Sequence, residues 1–161
     1  MTLAEKIERL VRHLPGVAGY QDRETSRSTD KVVRQRLSAE LDEMVREIER
    51  VKAKCVDDKD LSSLALLDRL STKLDRLSQT VMYASYGYGG LFDVSKFGSD
   101  GLAQLYAFDL GLLDELEAVR VKAGELRQGG EVLREAAVES ERLLDVFEKT
   151  FMSRQTIIEG G

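Results

Sequence analysis

A chain of 161 residues, 42% of them apolar, is long enough to bury a core as one domain and too apolar to remain disordered. Its net charge of −5 supplies no positive field for general nucleic-acid binding, and a lone Cys55 closes neither an internal disulfide nor a cysteine-based zinc site. Aromatics at 6%, one proline and no tryptophan fit long helices rather than a β-sandwich, so the expectation is a single all-α domain over 1–161.

The first predicted element is a short helix over 2–14. Leu3, Ile7, Leu10, Val11 and Leu14 form one helical stripe, and Thr2 with Glu5 makes a capping-box pattern. Pro15-Gly16 ends it. Glu5, Glu8, Arg9 and Arg12 interrupt any signal-peptide core, and no apolar run approaches the roughly 18 residues of a membrane span. A cytoplasmic protein is expected.

A long helix over about 22–56 follows. Val33, Leu37, Leu41, Met44, Ile48, Val51 and Cys55 recur at spacings of 4, 4, 3, 4, 3 and 4, the seam of a helix lying nearly parallel to its neighbours. Asp57-Asp58-Lys59-Asp60 breaks the pattern and offers N-caps. The next helix, about 60–85, carries Leu64, Leu67, Leu70, Leu74, Leu77, Val81 and Ala84. Residues 86–100 change texture, with Tyr86, Tyr88, Phe92 and Phe97 among glycines. A third long helix over about 101–128 presents Leu102, Leu105, Leu112, Leu116, Val119, Ala123 and Leu126. After Gly129-Gly130, a fourth over about 131–158 presents Leu133, Ala137, Leu144, Phe147 and Phe151 before Ile157-Ile158. Four coiled-coil-like helices joined in this way predict an antiparallel up-down-up-down four-helix bundle with a short extra N-terminal helix. Two hairpins that dimerise are the rival arrangement.

Familiar chemical sites are missing from the pattern. A di-iron bundle needs Glu-x-x-His on two helices, yet the sole histidine, His13, lies in the short first helix after Leu10. The glycine-rich stretch lacks Gly-Lys-Ser/Thr and has no preceding strand, so it is neither a P-loop nor a dinucleotide loop. No serine or cysteine has a histidine base on a long helix. No metal, cofactor or catalytic residue is expected, and His13 reads as a surface residue near a helix C-terminus.

The informative anomaly is polar residues on the apolar rows. Running the first long row backwards from Val33 meets Asp30, Ser26 and Arg23, with Arg27 and Arg34 alongside; the third row meets Asp109 between Leu105 and Leu112. In an antiparallel bundle Arg23, Arg27, Asp30, Arg34, Tyr83, Tyr86, Tyr88 and Asp109 gather at one pole. One reading is a buried polar cluster that fixes helix register, with Asp109 paired to an arginine or a tyrosine. Another is a ligand or anion pocket with an arginine clamp and tyrosine walls. A third is a catalytic carboxylate at Asp109. The loop either tucks Leu91, Phe92 and Phe97 back onto the bundle or offers Tyr88, Phe92 and Phe97 to a partner protein.

The segments LPGVAGYQDRE (Leu14–Glu24) and YASYGYGGLFD (Tyr83–Asp93), with YAFD (Tyr106–Asp109), resemble an uncharacterised family of prokaryotic helical proteins. The resemblance implies no activity; it implies only that the polar pole and the loop are shared features. The functional expectation is therefore a non-enzymatic structural or protein-interaction module, with an unidentified protein partner or a second copy of itself. The first alternative is a small-ligand or anion-binding bundle. The second is a peripheral membrane adaptor acting through residues 2–14, whose apolar stripe is flanked by Lys6, Arg9, Arg12 and His13.

Overall fold

A computed structural model describes residues 1–21, 23–84 and 98–160, apart from the side chains of residues 23, 24, 99, 159 and 160. Among the described residues it contains five α-helices and no strand: α1 (Leu3–His13), α2 (Arg23–Asp57), α3 (Leu61–Met82), α4 (Gly98–Gly124) and α5 (Gly130–Gly160). A 3₁₀ turn, Glu125–Gln128, tightens the end of α4. No helix among the described residues is long and apolar enough to cross a membrane.

The ends of these helices follow local chemistry. In α1 the capping box is formed: the Glu5 N–H donates to Thr2 Oγ1 at 3.2 Å, and the Thr2 N–H donates to Glu5 Oε2 at 2.6 Å. Between α2 and α3 the backbone turns through Lys59, whose φ of 57° lies in the left-handed region that glycine usually fills. Asp60 then caps α3 by accepting from the Ser63 N–H at 3.2 Å.

The apolar rows turn inward as their spacing requires. All seven row residues of α2, from Val33 to Cys55, are buried, as are Leu67, Leu70, Leu74, Leu77 and Val81 of α3. The rows of α4 and α5 join them in one hydrophobic cluster. Burying a leucine or phenylalanine side chain contributes about 1.5–3 kcal/mol each, so this cluster carries most of the stability. In α1, Leu10 is fully buried and Leu14 follows it inward, while Val11 faces solvent at 41% exposure. Helix α1 packs chiefly on α4, where Arg9 reaches Asp114 at 3.2 Å.

Cross-helix pairs give the directions. Arg34 meets the Met82 carbonyl, Ser38 meets Ser78 and Lys52 meets Asp68, so α2 and α3 run antiparallel. Asp109 with Arg154 and Glu115 with Thr150 make α4 and α5 antiparallel as well. Between these two hairpins the ladder is different: Arg69–Glu141, Lys73–Asp145 and Arg76–Glu148 advance together along both chains, so α3 and α5 run parallel. A bundle in which every helix is antiparallel to both its neighbours therefore does not describe this contact. The consecutive helices α3 and α4 make no extensive contact, which is why the chain between them is longer than a hairpin requires. Residues 85–97 of that connection lie outside the described residues.

Candidate functional site: a buried polar layer and two open grooves

One layer of the core is polar. It lies where α2 begins and α3 and α5 end, and its members sit on the same rows as the leucines around them. Asp30 stands one step before Val33 on α2, and Asp109 stands between Leu105 and Leu112 on α4. Arg154 occupies the step between Phe151 and Ile158 on α5. Helical periodicity turns all three inward, and their exposures are 1%, 0% and 0%.

Arg154 is the hub. Its Nε donates to Asp109 Oδ1 at 2.6 Å, its Nη2 donates to the Tyr20 hydroxyl at 3.2 Å, and its Nη1 donates to Gln155 Oε1 at 2.9 Å. The same Nη2 stands 2.7 Å from Asp30 Oδ1, an ion contact rather than an aligned hydrogen bond. Tyr20 closes the circuit by donating its O–H to Asp109 Oδ2. On the outer side, Arg34 Nε donates to Asp30 Oδ2 at 2.9 Å, and Nη1 donates to the Met82 carbonyl at 2.6 Å. Two carboxylates thus face two guanidiniums. Removing ions from water costs several kcal/mol each unless they are paired and hydrogen-bonded, and this balance meets that condition.

Electrostatics follow from burial. Burial pushes the Asp109 carboxyl above the usual carboxylate range, and the Arg154 charge and the Tyr20 bond pull it back only in part. Burial and then the Asp109 charge push the Tyr20 phenol well above its ordinary value. For Arg154 burial alone works downward, but Asp109, Tyr20 and Asp30 outweigh it and raise the guanidinium further, so it stays charged.

Tyr20 belongs to the connection between α1 and α2, and that connection is fastened tightly. The Tyr20 N–H donates to the Tyr106 hydroxyl at 2.7 Å, and the two rings meet edge to face with centroids 5.0 Å apart. The Gly19 N–H donates to Thr29 Oγ1 at 3.1 Å, while the Thr29 hydroxyl donates to the Gly19 carbonyl at 2.9 Å. Gly19 has φ +90°, and a Cβ there would lie 2.7 Å from the Tyr106 hydroxyl. Only glycine fits.

The residues expected at this pole fall into three groups. Asp30, Arg34 and Asp109 do share the layer, although Asp30 and Asp109 meet through Arg154 rather than directly. Arg27 is solvent-facing and Tyr83 is 78% exposed at the end of α3, so neither side chain is buried in the layer. The side chain of Arg23 lies outside the described residues, as do Tyr86, Tyr88, Phe92 and Phe97 entirely. Arg154 and Tyr20 are members that the sequence reading misses. Arg154 is findable by the reasoning that finds Asp30, since the α5 row reaches it three residues beyond Phe151. Tyr20 gives no such signal, because it lies in an irregular connection without a period.

The layer is closed. Both Asp109 oxygens are engaged and the side chain has no exposure, so a substrate proton has no path to it in this conformation. Among the described residues no group of three or more His, Cys, Asp or Glu is placed to hold a metal. Burial raises the Cys55 thiol above its ordinary range, followed by the charges of Asp60 and Asp58.

Open surface occurs elsewhere. Between α2 and α4 lies a groove of about 420 Å³ floored by Met44, Ile48, Val51 and Leu126. Arg36, Glu40, Glu43 and Glu47 line its α2 edge, with Glu117, Arg120 and Arg127 opposite. Towards the α1 end the same two helices present a smaller recess that Arg9 and His13 of α1 help to line. A second open groove, of about 560 Å³, lies along the start of α2 beside Met82.

No protein-family model matches this chain, and neither the curated proteins nor the solved structures contain a match to it.

Proposed function

We propose that this protein is a non-enzymatic interaction module, built on an up-down-up-down bundle of α2–α5, which receives an amphipathic helix of a partner along the α2/α4 groove. What supports this most is the seating of α1. That helix packs on α4 at one end of the α2/α4 face, with Leu10 buried and Arg9 on Asp114, and the face continues past it as the Met44–Ile48–Val51 groove. A face that already seats one amphipathic helix at its end offers a second an apolar floor and charged edges. The α2 edge, with Glu40, Glu43 and Glu47 against Arg36, is acidic on balance, and the opposite edge, with Arg120 and Arg127 against Glu117, is basic on balance, which suits a helix with one basic and one acidic flank. The groups with chemical potential, by contrast, are sealed in the polar layer.

Site-specific photo-crosslinking in extracts of the source cell tests the reading. A photoreactive residue at Arg120 should capture a partner, whereas one at Val138, exposed on α5, should not. Reversing Glu43 and Glu47 to arginine should abolish capture without lowering Tm. Equal products from both positions, or none, would remove the reading; a product of twice the chain mass would make the partner a second copy.

A further inference from the structure

Independently of the helix groove, the geometry points to Glu115 as a proton-operated contact between α4 and α5, in which the neutral acid completes a hydrogen-bond chain that the carboxylate leaves broken. Glu115 is half-buried on α4 against α5. Its Oε1 lies 2.8 Å from Thr150 Oγ1, and the same Oγ1 lies 3.1 Å from the Val146 carbonyl oxygen. A hydroxyl has one hydrogen, so Thr150 can donate fully either to a carboxylate or to that carbonyl, not to both. One proton on Oε1 resolves the conflict: Glu115 donates to Thr150, and Thr150 donates to Val146. The other oxygen, Oε2, is buried and has no hydrogen-bond partner among the described residues. On a carboxylate it is an unsolvated share of a full charge, whereas on the neutral acid it is one unpaired carbonyl oxygen, which costs far less.

Among the described residues no neighbouring element supplies a cation to this carboxyl. From α5 it meets the neutral Thr150; Lys149 beside it is solvent-facing, and Arg154 is held by Asp109 and Asp30. On α4 itself the next residue is Asp114, whose charge Arg9 of α1 takes up at 3.2 Å. The charged groups that α1 and α2 bring to α4, namely Arg9, His13, Arg36 and Glu40, stand in the recess with Asp114 and Glu117. Beyond the end of α4, Glu125 is paired with Lys122. The electrostatics agree with this placement. Burial pushes the Glu115 carboxyl above its ordinary 4.5, Thr150 pulls it back in part, and Asp114 adds to the upward push. Between 4.5 and the folded value, the folded chain therefore holds a proton that the unfolded chain releases. The contact is complete below that range and is lost as pH rises through the folded value, so acid tightens the α4/α5 seam.

Carboxyl-carbon NMR titration of the full chain, with the Glu115 resonance assigned by its loss in Glu115→Gln, tests the contact directly. Glu115 should titrate above its ordinary 4.5. Melting curves between about pH 4 and pH 8 test the consequence. The Glu115→Gln amide donates to Thr150 without titrating, so this variant should melt with wild type at the acid end and about 2–4 °C above it at the alkaline end. Asp109 is present in both proteins and cancels in the difference. Amide exchange across 146–153, corrected for its intrinsic pH dependence, should slow on acidification in wild type and not in Glu115→Gln. Glu8→Gln, on the exposed surface beside Arg12, should follow wild type at every pH. A Glu115 resonance that titrates at 4.5 or below, a melting difference that does not grow with pH, or the same exchange response in both proteins would overturn the proposal.

Discussion

The polar layer and the α3/α5 ladder use the same residue types to opposite ends. In the ladder, Arg69, Lys73 and Arg76 meet Glu141, Asp145 and Glu148 at the surface, with Arg69 and Arg76 more than half exposed. Water solvates these charges whether or not they pair, so each contact contributes little and salt weakens it. In the layer, Arg154 has no exposure at all, and each group it touches is buried with it. There pairing is a condition for the charges to be inside, and losing one member strands the others. The lesson is that a buried ion set is tolerated only as a complete set, whereas a surface ladder adds little to a contact that leucines have already made.

The largest expected effect breaks the layer. Arg154→Met leaves Asp30 and Asp109 without their shared cation and should cost about 3–5 kcal/mol in urea unfolding. Replacing Asp109 and Arg154 together by Leu and Met should cost less than Arg154→Met alone, because Asp30 keeps its pair with Arg34 and no buried charge is stranded. A larger loss in the double variant would contradict the comparison.

Tyr20→Phe should be intermediate, about 1–3 kcal/mol, since it deletes the hydrogen bond to the buried Asp109 carboxylate and the acceptor for Arg154 but leaves the ring packing on Tyr106. This variant also carries the pH test. The folded pKa of Tyr20 lies well above its ordinary 10.0, so its contribution is complete below that pH and is lost as pH rises from there through the folded value. Wild type should therefore lose stability in the alkaline range more steeply than Tyr20→Phe. Parallel curves would show that the phenol ionises as freely in the folded protein as in the unfolded chain.

The smallest effect should come from the ladder. Arg76→Ala removes the paired contact to Glu148 and should change stability by no more than about 1 kcal/mol, with the difference shrinking in high salt. A loss as large as that of Arg154→Met would erase the distinction between the two regions.

Much of the fold is legible in the order of residues. The leucine rows of α2 and α3 mark their buried faces, the Thr2/Glu5 box marks the start of α1, and Asp30 and Asp109 stand out as polar steps on apolar rows. The pattern misleads where a residue's role is not periodic. Val11 reads as part of the α1 stripe yet faces solvent, because a single helix laid on α4 buries a narrower band than the stripe spans. Tyr83 reads as a member of the pole, but α3 ends at Met82 and leaves the ring in solvent.

By itself, then, the sequence determined which faces turn inward and that the core contains charge, since both follow from a local 3.6-residue period. Only the tertiary structure decided that α3 and α5 run parallel, that Arg154 rather than an α2 arginine joins Asp30 to Asp109, and that Tyr20 seals them. Those outcomes depend on which helices become neighbours. Contacts between residues as far apart as Tyr20 and Arg154 leave no trace in any window of sequence.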